Sequence, residues 1–404
     1  MISRTNNFDL IRLLAALQVV VLHGQGHLRV PPTPWFDGLR QVMVYFPGVP
    51  VFFLISGFLI AMSYDNSPDA GTFFRKRLLR IYPGLWASLL VTLGLLALFG
   101  FLGGAALGRP SFWAWVLGQV SFVQFYTPDF LRGFGVGTPN GSLWTITVEL
   151  QFYLAVPLLL GGLGALVGPA VRNLVLTGLG VASWLAFVHL ETSPDTFANK
   201  LLGVSLLPYF FNFLAGILFY AYFPRLYPLI RGKCGWWLAG YAACMAVFSG
   251  RLQLFGEPFE PSLYALAALV LLAFTVFSVA FSFPTLSEKL LRGVDVSYGV
   301  YIYHMLVVNT LVEVGWTGRV SYWILAILAS LTLGYLSWTY VEKRFIRLKK
   351  KFIPAHETTH PVPPDRRNHP GGSTPAAGAE GTRTDPDAPD AGVAGHGADA
   401  GRVR

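Results

Sequence analysis

Apolar residues in this 404-residue chain come in blocks of about twenty, separated by short polar or basic connectors. A helix rises ~1.5 Å per residue, so such a block crosses the ~30 Å hydrocarbon core of a bilayer. The pattern predicts an all-α polytopic membrane protein with about ten transmembrane helices. They are expected near residues 8–27, 45–64, 83–106, 143–166, 173–190, 201–222, 235–250, 262–282, 296–313 and 320–341. The stretch 110–127, PSFWAWVLGQVSFVQFYT, is apolar and aromatic but short. It reads as an interfacial or re-entrant segment. An eleventh crossing there would carry the C-terminus to the other face.

After Ile353 the pattern stops. Residues 352–404 are rich in Pro, Gly and Ala and nearly free of large apolar side chains. Such a segment cannot bury enough surface to offset ordering entropy, so a disordered C-terminal tail is expected. The chain divides into a transmembrane domain, 1–351, and this tail, 352–404. His356, His360, His369 and His396 are spaced too irregularly to define a metal site.

Composition sharpens the class. The chain is 53% hydrophobic and 13% charged, half the charged share of an ordinary soluble domain. Asp9 and Arg12 interrupt the first apolar block, and no A-x-A-like site follows His27, so the block reads as a membrane helix and not a cleaved signal. Cys234 and Cys244 form neither a disulfide framework nor a metal pattern. The net charge of +9 divides into −2 on the tail and +11 on the membrane body. A basic membrane body suggests anionic lipid headgroups or a phosphorylated ligand. Basic patches interleaved with aromatics are absent outside the connectors, which argues against nucleic acid.

Charge asymmetry gives a topology. With the N-terminus inside, one face collects Arg75, Lys76, Arg77, Arg80, Arg172, Arg225, Arg231, Lys233, Lys289, Arg292 and the Lys343–Lys351 cluster. The other face holds only Arg29, Arg40, Arg109, Arg132, Lys200, Arg251 and Arg319. The positive-inside bias therefore puts both termini in the cytoplasm of a multi-pass cell-membrane protein.

Candidate chemistry begins inside the first helix. Arg12 and His23 are eleven residues apart, which is roughly 1100° of helical turn, or about 20° past three full turns. They share a face, roughly 16 Å apart along the axis. Asp9 stands three residues before Arg12 and can pair with it. Ionisable groups within membrane helices usually mark a site. Imidazole takes up a proton near neutral pH, which suits His23 to general-base work. A helix-end histidine meeting interfacial water is the bland alternative.

Further candidates follow along the chain. Ser56 and Gly57 form a small pair among bulky neighbours, allowing close approach of a helix or of a ligand chain. Arg75, Arg77 and Arg80, followed by a helix-terminating Pro83, suit a phosphate clamp, although ordinary topology explains the charge alone. Asn140-Gly141 makes a turn ahead of a helix carrying Glu149, whose depth matches that of His23. His23 or a substrate hydroxyl is its expected partner. His304 lies mid-helix near Tyr298, Tyr301 and Tyr303, and a hydrogen-bonded core role fits it equally. Glu342 stands among basic residues, where a surface counter-charge is the simple reading.

Together these segments resemble the acyltransferase-3 family of integral membrane acyltransferases. Its Asp-x-x-Arg-x10-His helix matches Asp9, Arg12 and His23. A phenylalanine-rich Ser-Gly-Phe helix matches Phe52, Phe53, Ser56, Gly57 and Phe58. The Arg-x-x-Arg-Ile-x-Pro stretch matches Arg77, Arg80, Ile81 and Pro83. Ser-Leu-Trp with a following Glu matches Ser142, Leu143, Trp144 and Glu149, and Ser-Tyr-x-x-Tyr-x-x-His matches Ser297, Tyr298, Tyr301 and His304. The closing motif departs from the family, with Lys343-Arg344 where a proline often follows the Glu. The resemblance covers residues 6–350.

The resemblance implies about ten spans and transfer of an acyl group, usually acetyl, from cytoplasmic acyl-CoA to a hydroxyl of a cell-surface or lipid-linked carbohydrate, with exopolysaccharide or O-antigen sugars the nearest type. Acyl-CoA enters as donor substrate, with no permanently bound cofactor and no metal. The partners implied are acyl-CoA, a carbohydrate or glycolipid acceptor and membrane lipids. On that reading Arg75, Arg77 and Arg80 hold the nucleotide phosphates, and Arg12, steadied by Asp9, guides the ligand. The pantetheine arm passes Ser56-Gly57. His23 acts as base or carries the acyl group, Glu149 orients His23 or the sugar, and His304 donates to the oxyanion. Two rivals stand beside it. A transporter or flippase for a charged glycolipid would use the same intramembrane charges without chemistry, and a scaffold would act through the tail.

Overall fold

The computed structural model describes residues 5–247 and 263–348. The tail at 352–404, its histidines, Arg251 and Lys349 to Lys351 lie outside the described residues. Among the described residues the chain is helical, with no strand. Within the described residues each of the ten expected segments contains helix.

In chain order the helices are α1 (Phe8–His27), α2 (Pro34–Val44), α3 (Gly48–Asp65), α4 (Ala70–Leu98) and α5 (Pro110–Val120). Then come α6 (Trp144–Val156), α7 (Pro169–Thr192), α8 (Phe210–Ala221), α9 (Cys234–Val247) and α10 (Leu263–Ser282). The last are α11 (Ser297–Glu313), α12 (Val320–Ser337) and α13 (Lys343–Leu348). Among the described residues six helical stretches are long and apolar enough to cross a membrane, or seven if a bent pair counts as one span. They are Phe8–His27, Pro34–Asp65, Ala70–Leu98, Gly141–Leu166, Pro169–Thr192 and Val320–Leu348. The bent pair is Phe197–Gly203 with Leu207–Ala221, set at 49°, so the single helix expected over 201–222 is broken near Ser205. The chain is an all-α polytopic membrane protein.

Three local features depart from expectation. Helix α4 begins at Ala70 and runs through Pro83, which therefore does not terminate it. A proline costs one backbone bond, yet neighbouring helices can compensate the freed groups in a membrane bundle. The carbonyl that Pro83 leaves without its helical donor is that of Leu79; close by, Tyr298 of α11 donates to Ile81 O at 2.8 Å and ties α4 to α11. Segment 110–127 forms only the eleven-residue α5, about 16 Å long and roughly half a bilayer core. Its end is tied to α4 where Tyr82 Oη donates to Ser121 O at 2.8 Å. Finally, α12 passes into a π-helical turn, Trp338–Glu342, before α13.

Glycines set the closest packing. A Cβ on Gly57 of α3 would run into the Phe213 carbonyl of α8, and a Cβ on Gly216 of α8 would run into the Leu54 carbonyl. Small residues of this kind let membrane helices meet backbone to backbone. Helix α1 packs against α3, α11 and α12. Arg12 reaches Asp295 just ahead of α11, and His23 reaches His304 within it, so α1 and α11 run side by side in the same direction. The connector before α6 is stitched to α11. Asn309 Nδ2 donates to Thr138 O at 2.8 Å and to Pro139 O at 2.9 Å, and Asn140 Nδ2 donates to Ile302 O at 2.9 Å.

Candidate active site

A cavity of about 450 Å³ opens among α1, α3, α4, α6, the start of α11 and the π-helical turn. That size lies within the range of small-molecule sites. Its polar lining includes Asp9, Arg12, Ser56, Arg77, Arg80 and Glu149, six of the ten residues expected to form the site. Tyr153, Asp295, Ser297 and Tyr301 join them, and Phe52, Phe53 and Ile55 supply apolar wall.

The charges form a chain across one end. Arg12 pairs with Asp9, as its i,i+3 spacing predicts, and also lies 3.2 Å from Asp295. Asp295 lies 2.5 Å from Arg80, and Arg80 lies 3.6 Å from Glu342. Ser297 Oγ donates to the other Asp295 oxygen at 2.7 Å. Glu342 is not a surface counter-charge. Its side chain is 1% exposed and accepts from Ser337 Oγ at 2.9 Å, because the π-helical turn rotates it inward toward Arg80. A buried carboxylate has to be paired in this way.

Arg77 differs from its neighbours. Among the described residues it has no carboxylate within ion-pair distance. It donates to Ser63 Oγ at 3.0 Å, while its Nε is buried without a partner. Its charge is thus the least committed on the cavity wall. Arg75 is exposed and lies outside the cavity lining. Gly57 is also outside it, turned toward α8, so the close approach it permits here is that of a helix.

Farther along the wall, Glu149 accepts from Tyr153 Oη at 2.6 Å and from Ser56 Oγ at 3.5 Å. His23 is not its hydrogen-bond partner. Instead His23 Nδ1 lies 3.0 Å from His304 Nε2, and His304 Nδ1 lies 2.5 Å from Tyr301 O. His304 is fully buried, whereas His23 is half-buried with His27 one turn beyond it. Neither His23 nor His304 lines the cavity. Tyr301 joins the two regions. Its side chain lines the cavity and bonds Thr145 Oγ1 at 2.9 Å, and its carbonyl holds His304.

Asp295 and Tyr153 are the site residues that sequence reasoning passed over. Asp295 stands in a short Val-Asp-Val-Ser connector that looks like a helix start. The usable signal is that Arg12 and Arg80 are two intramembrane cations with one neighbouring acid, Asp9, between them.

The profile of a family described as Acyltransferase domain matches residues 5–339. The chain belongs to the acyltransferase-3 family. It is 35% identical over 360 residues to Nodulation protein 10 of Rhizobium leguminosarum bv. viciae, covering 86% of this chain and 95% of that one. It is 26% identical to an O-acetyl transferase of Shigella phage Sf6, covering 85% and 96%. It is 25% identical to the peptidoglycan O-acetyltransferase OatA of Listeria monocytogenes, covering 76% of this chain and 55% of that longer one. No solved structure matches. The protein is therefore a membrane acyltransferase, and its intramembrane charges belong to an enzyme. Within that acyltransferase the family's five motifs converge. Asp9-Arg12, Ser56, Arg77-Arg80 and Glu149 meet at one cavity, and the two histidines meet each other outside its lining, behind Tyr301.

Proposed function

We propose that this acyltransferase is an O-acetyltransferase that takes an acetyl group from acetyl-CoA on the cytoplasmic side and passes it to a carbohydrate hydroxyl. One observation carries the reading. The cavity brings three guanidinium groups to one end, Arg77 among them without a carboxylate partner, and continues between aromatic and aliphatic walls to Tyr301. Guanidinium groups suit phosphate, and an apolar corridor suits the pantetheine arm. The charged end is formed by the start of α1, the start of α4 and the end of the last helix, which the positive-inside bias assigns to the cytoplasm. A bacterial plasma membrane is the setting this implies. Two relatives are named as O-acetyltransferases, one of them acting on peptidoglycan, and this supports an oxygen acceptor on a carbohydrate.

The chemistry follows from the two ends. Arg77 binds donor phosphate, with Arg12 and Arg80 behind it, and the thioester is directed past Ser56 and Glu149 toward Tyr301. Passage beyond Tyr301 brings the acyl carbon to the histidine pair. His23 takes the proton of the acceptor hydroxyl as its oxygen bonds to the thioester carbonyl carbon. The carbon–sulfur bond then breaks, the CoA thiolate takes a proton, and an ester and free CoA leave. Glu149, with Tyr153 and Ser56, orients the donor chain.

The test uses the full chain in nanodiscs with acetyl-CoA and an acceptor-rich cell-envelope extract. CoA release is compared for wild type, His23→Ala and Arg12→Ala. Release that requires both residues supports the reading. No release by wild type, with no acetyl-CoA binding by calorimetry, removes acetyl-CoA as the donor.

A further inference from the structure

The hydrogen bonds of His304 determine where two protons sit. Its Nδ1 lies 2.5 Å from the Tyr301 carbonyl oxygen, which can only accept. In a neutral ring the proton is therefore on Nδ1 and the lone pair on Nε2. That lone pair faces His23 Nδ1 at 3.0 Å, so the proton between the rings belongs to His23. His23 is left with its own lone pair on Nε2. The opposite assignment would set an unprotonated Nδ1 against a carbonyl oxygen at 2.5 Å. A doubly protonated His304 would be a fully buried charge with no carboxylate among its hydrogen-bond partners, which is costly.

We infer that His304 is a positioning residue that fixes His23 in the Nδ1–H tautomer, so that His23 Nε2 is the base that meets the acceptor hydroxyl. This rests on the acyl-transfer reading for its consequence but not for its geometry. It also changes the role first expected of His304. With its Nε2 lone pair engaged by His23, His304 has no proton to offer an oxyanion. The ionisable groups facing His23 are His27 of α1 and His304 of α11, with Tyr301 beyond His304. When His23 Nε2 takes the acceptor proton, its Nδ1–H keeps donating to the His304 Nε2 lone pair, so the charge stays on the less buried ring. The Nε2 proton then passes to the thiolate, so no net proton is gained by the protein.

The test uses full-length protein labelled with ¹⁵N-histidine in nanodiscs, with His23 signals assigned through a His23→Gln variant. The two diagnostic substitutions are His304→Gln, whose amide oxygen can still accept from His23 Nδ1–H, and His304→Leu, which fills the space and cannot. Wild type and His304→Gln should show the proton on His23 Nδ1, and His304→Leu should show it on Nε2. Loss of tautomer control in a hydrolase triad costs about 10⁴ in kcat. Accordingly His304→Leu should lose about 100-fold or more in kcat with little change in KM for acetyl-CoA, while His304→Gln should stay within about tenfold of wild type. A proton on Nε2 in wild type, or full kcat in His304→Leu, overturns the inference. Nδ1–H in wild type without any CoA release would retire acetyl-CoA as the donor and leave the tautomer assignment standing.

Discussion

Asp295 lies 2.5 Å from Arg80 across 215 residues of chain, and both side chains are almost enclosed. The same carboxylate also meets Arg12, so one acid ties the start of α1 to α4 at the head of α11. Removing one partner of a buried pair leaves an uncompensated charge, typically at a cost of 3–5 kcal/mol. Asp295→Ala is therefore expected to lower stability by about 3 kcal/mol, read as a lower thermal midpoint in detergent. Arg80→Met combined with Asp295→Leu should recover part of that loss. A wild-type midpoint for Asp295→Ala would contradict the pairing.

Arg77 makes the complementary case. It holds a hydroxyl and no carboxylate, so its loss should disturb ligand binding more than folding. A charged hydrogen bond contributes about 1.5–3 kcal/mol. Arg77→Gln should then raise the KM for acetyl-CoA by about tenfold or more, with a thermal midpoint closer to wild type than that of Asp295→Ala. Equal losses in midpoint for the two variants would assign Arg77 a structural role instead.

Helix contact predicts a different outcome at the glycines. In Gly57→Ala the new methyl would meet the Phe213 backbone, which cannot rotate away. Overpacking of this kind costs about 1–3 kcal/mol. Gly178→Ala in α7 meets nothing within 4 Å and should be neutral or slightly stabilising. Thermal midpoints of the two variants, measured side by side, test whether α3 and α8 pack as closely as described.

Acid pH should reveal the cap of α4. Asp69 accepts from Thr72 N at 2.8 Å and from Thr72 Oγ1 at 2.6 Å, and these bonds hold its carboxyl below the ordinary value. A depressed folded pKa contributes stability above the unfolded value of about 4, and that contribution disappears as pH falls through the folded value. Asp69→Ala should consequently differ from wild type in thermal midpoint at pH 7, and the two curves should converge below about pH 4. Curves that stay parallel to pH 3 would rule out this linkage.

The helical period made the central pair of α1 legible. Arg12 and His23 share one face by their spacing alone, and their partners Asp295 and His304 stand just ahead of α11 and within it. The clustering of Arg77, Arg80, Ser56 and Glu149 was approachable because each stood as a polar residue in an apolar block. What pairs with what was not. The expected topology gives Glu149 and His23 the same depth, yet depth along the membrane normal says nothing about which faces meet, and Glu149 turns to Tyr153. Glu342 could not be oriented from a regular 3.6-residue period, because the π-helical turn before it shifts the phase. Pro83 reads as a terminator because the proline rule is local, whereas α4 is held by packing against α11, more than two hundred residues away.

The distance in sequence between Arg12 and Asp295, 283 residues, also has a meaning in time. At translation rates of about 5–20 residues per second, Arg12 leaves the ribosome roughly 15 to 60 s before its distant partner exists. During that interval the first helix must enter the bilayer with a guanidinium in it. Asp9, three residues away and already synthesised, is the one acid that can accompany it. The local pair thus keeps the charge accompanied through that interval, and Asp295 joins it only when the last helices close the bundle around the first.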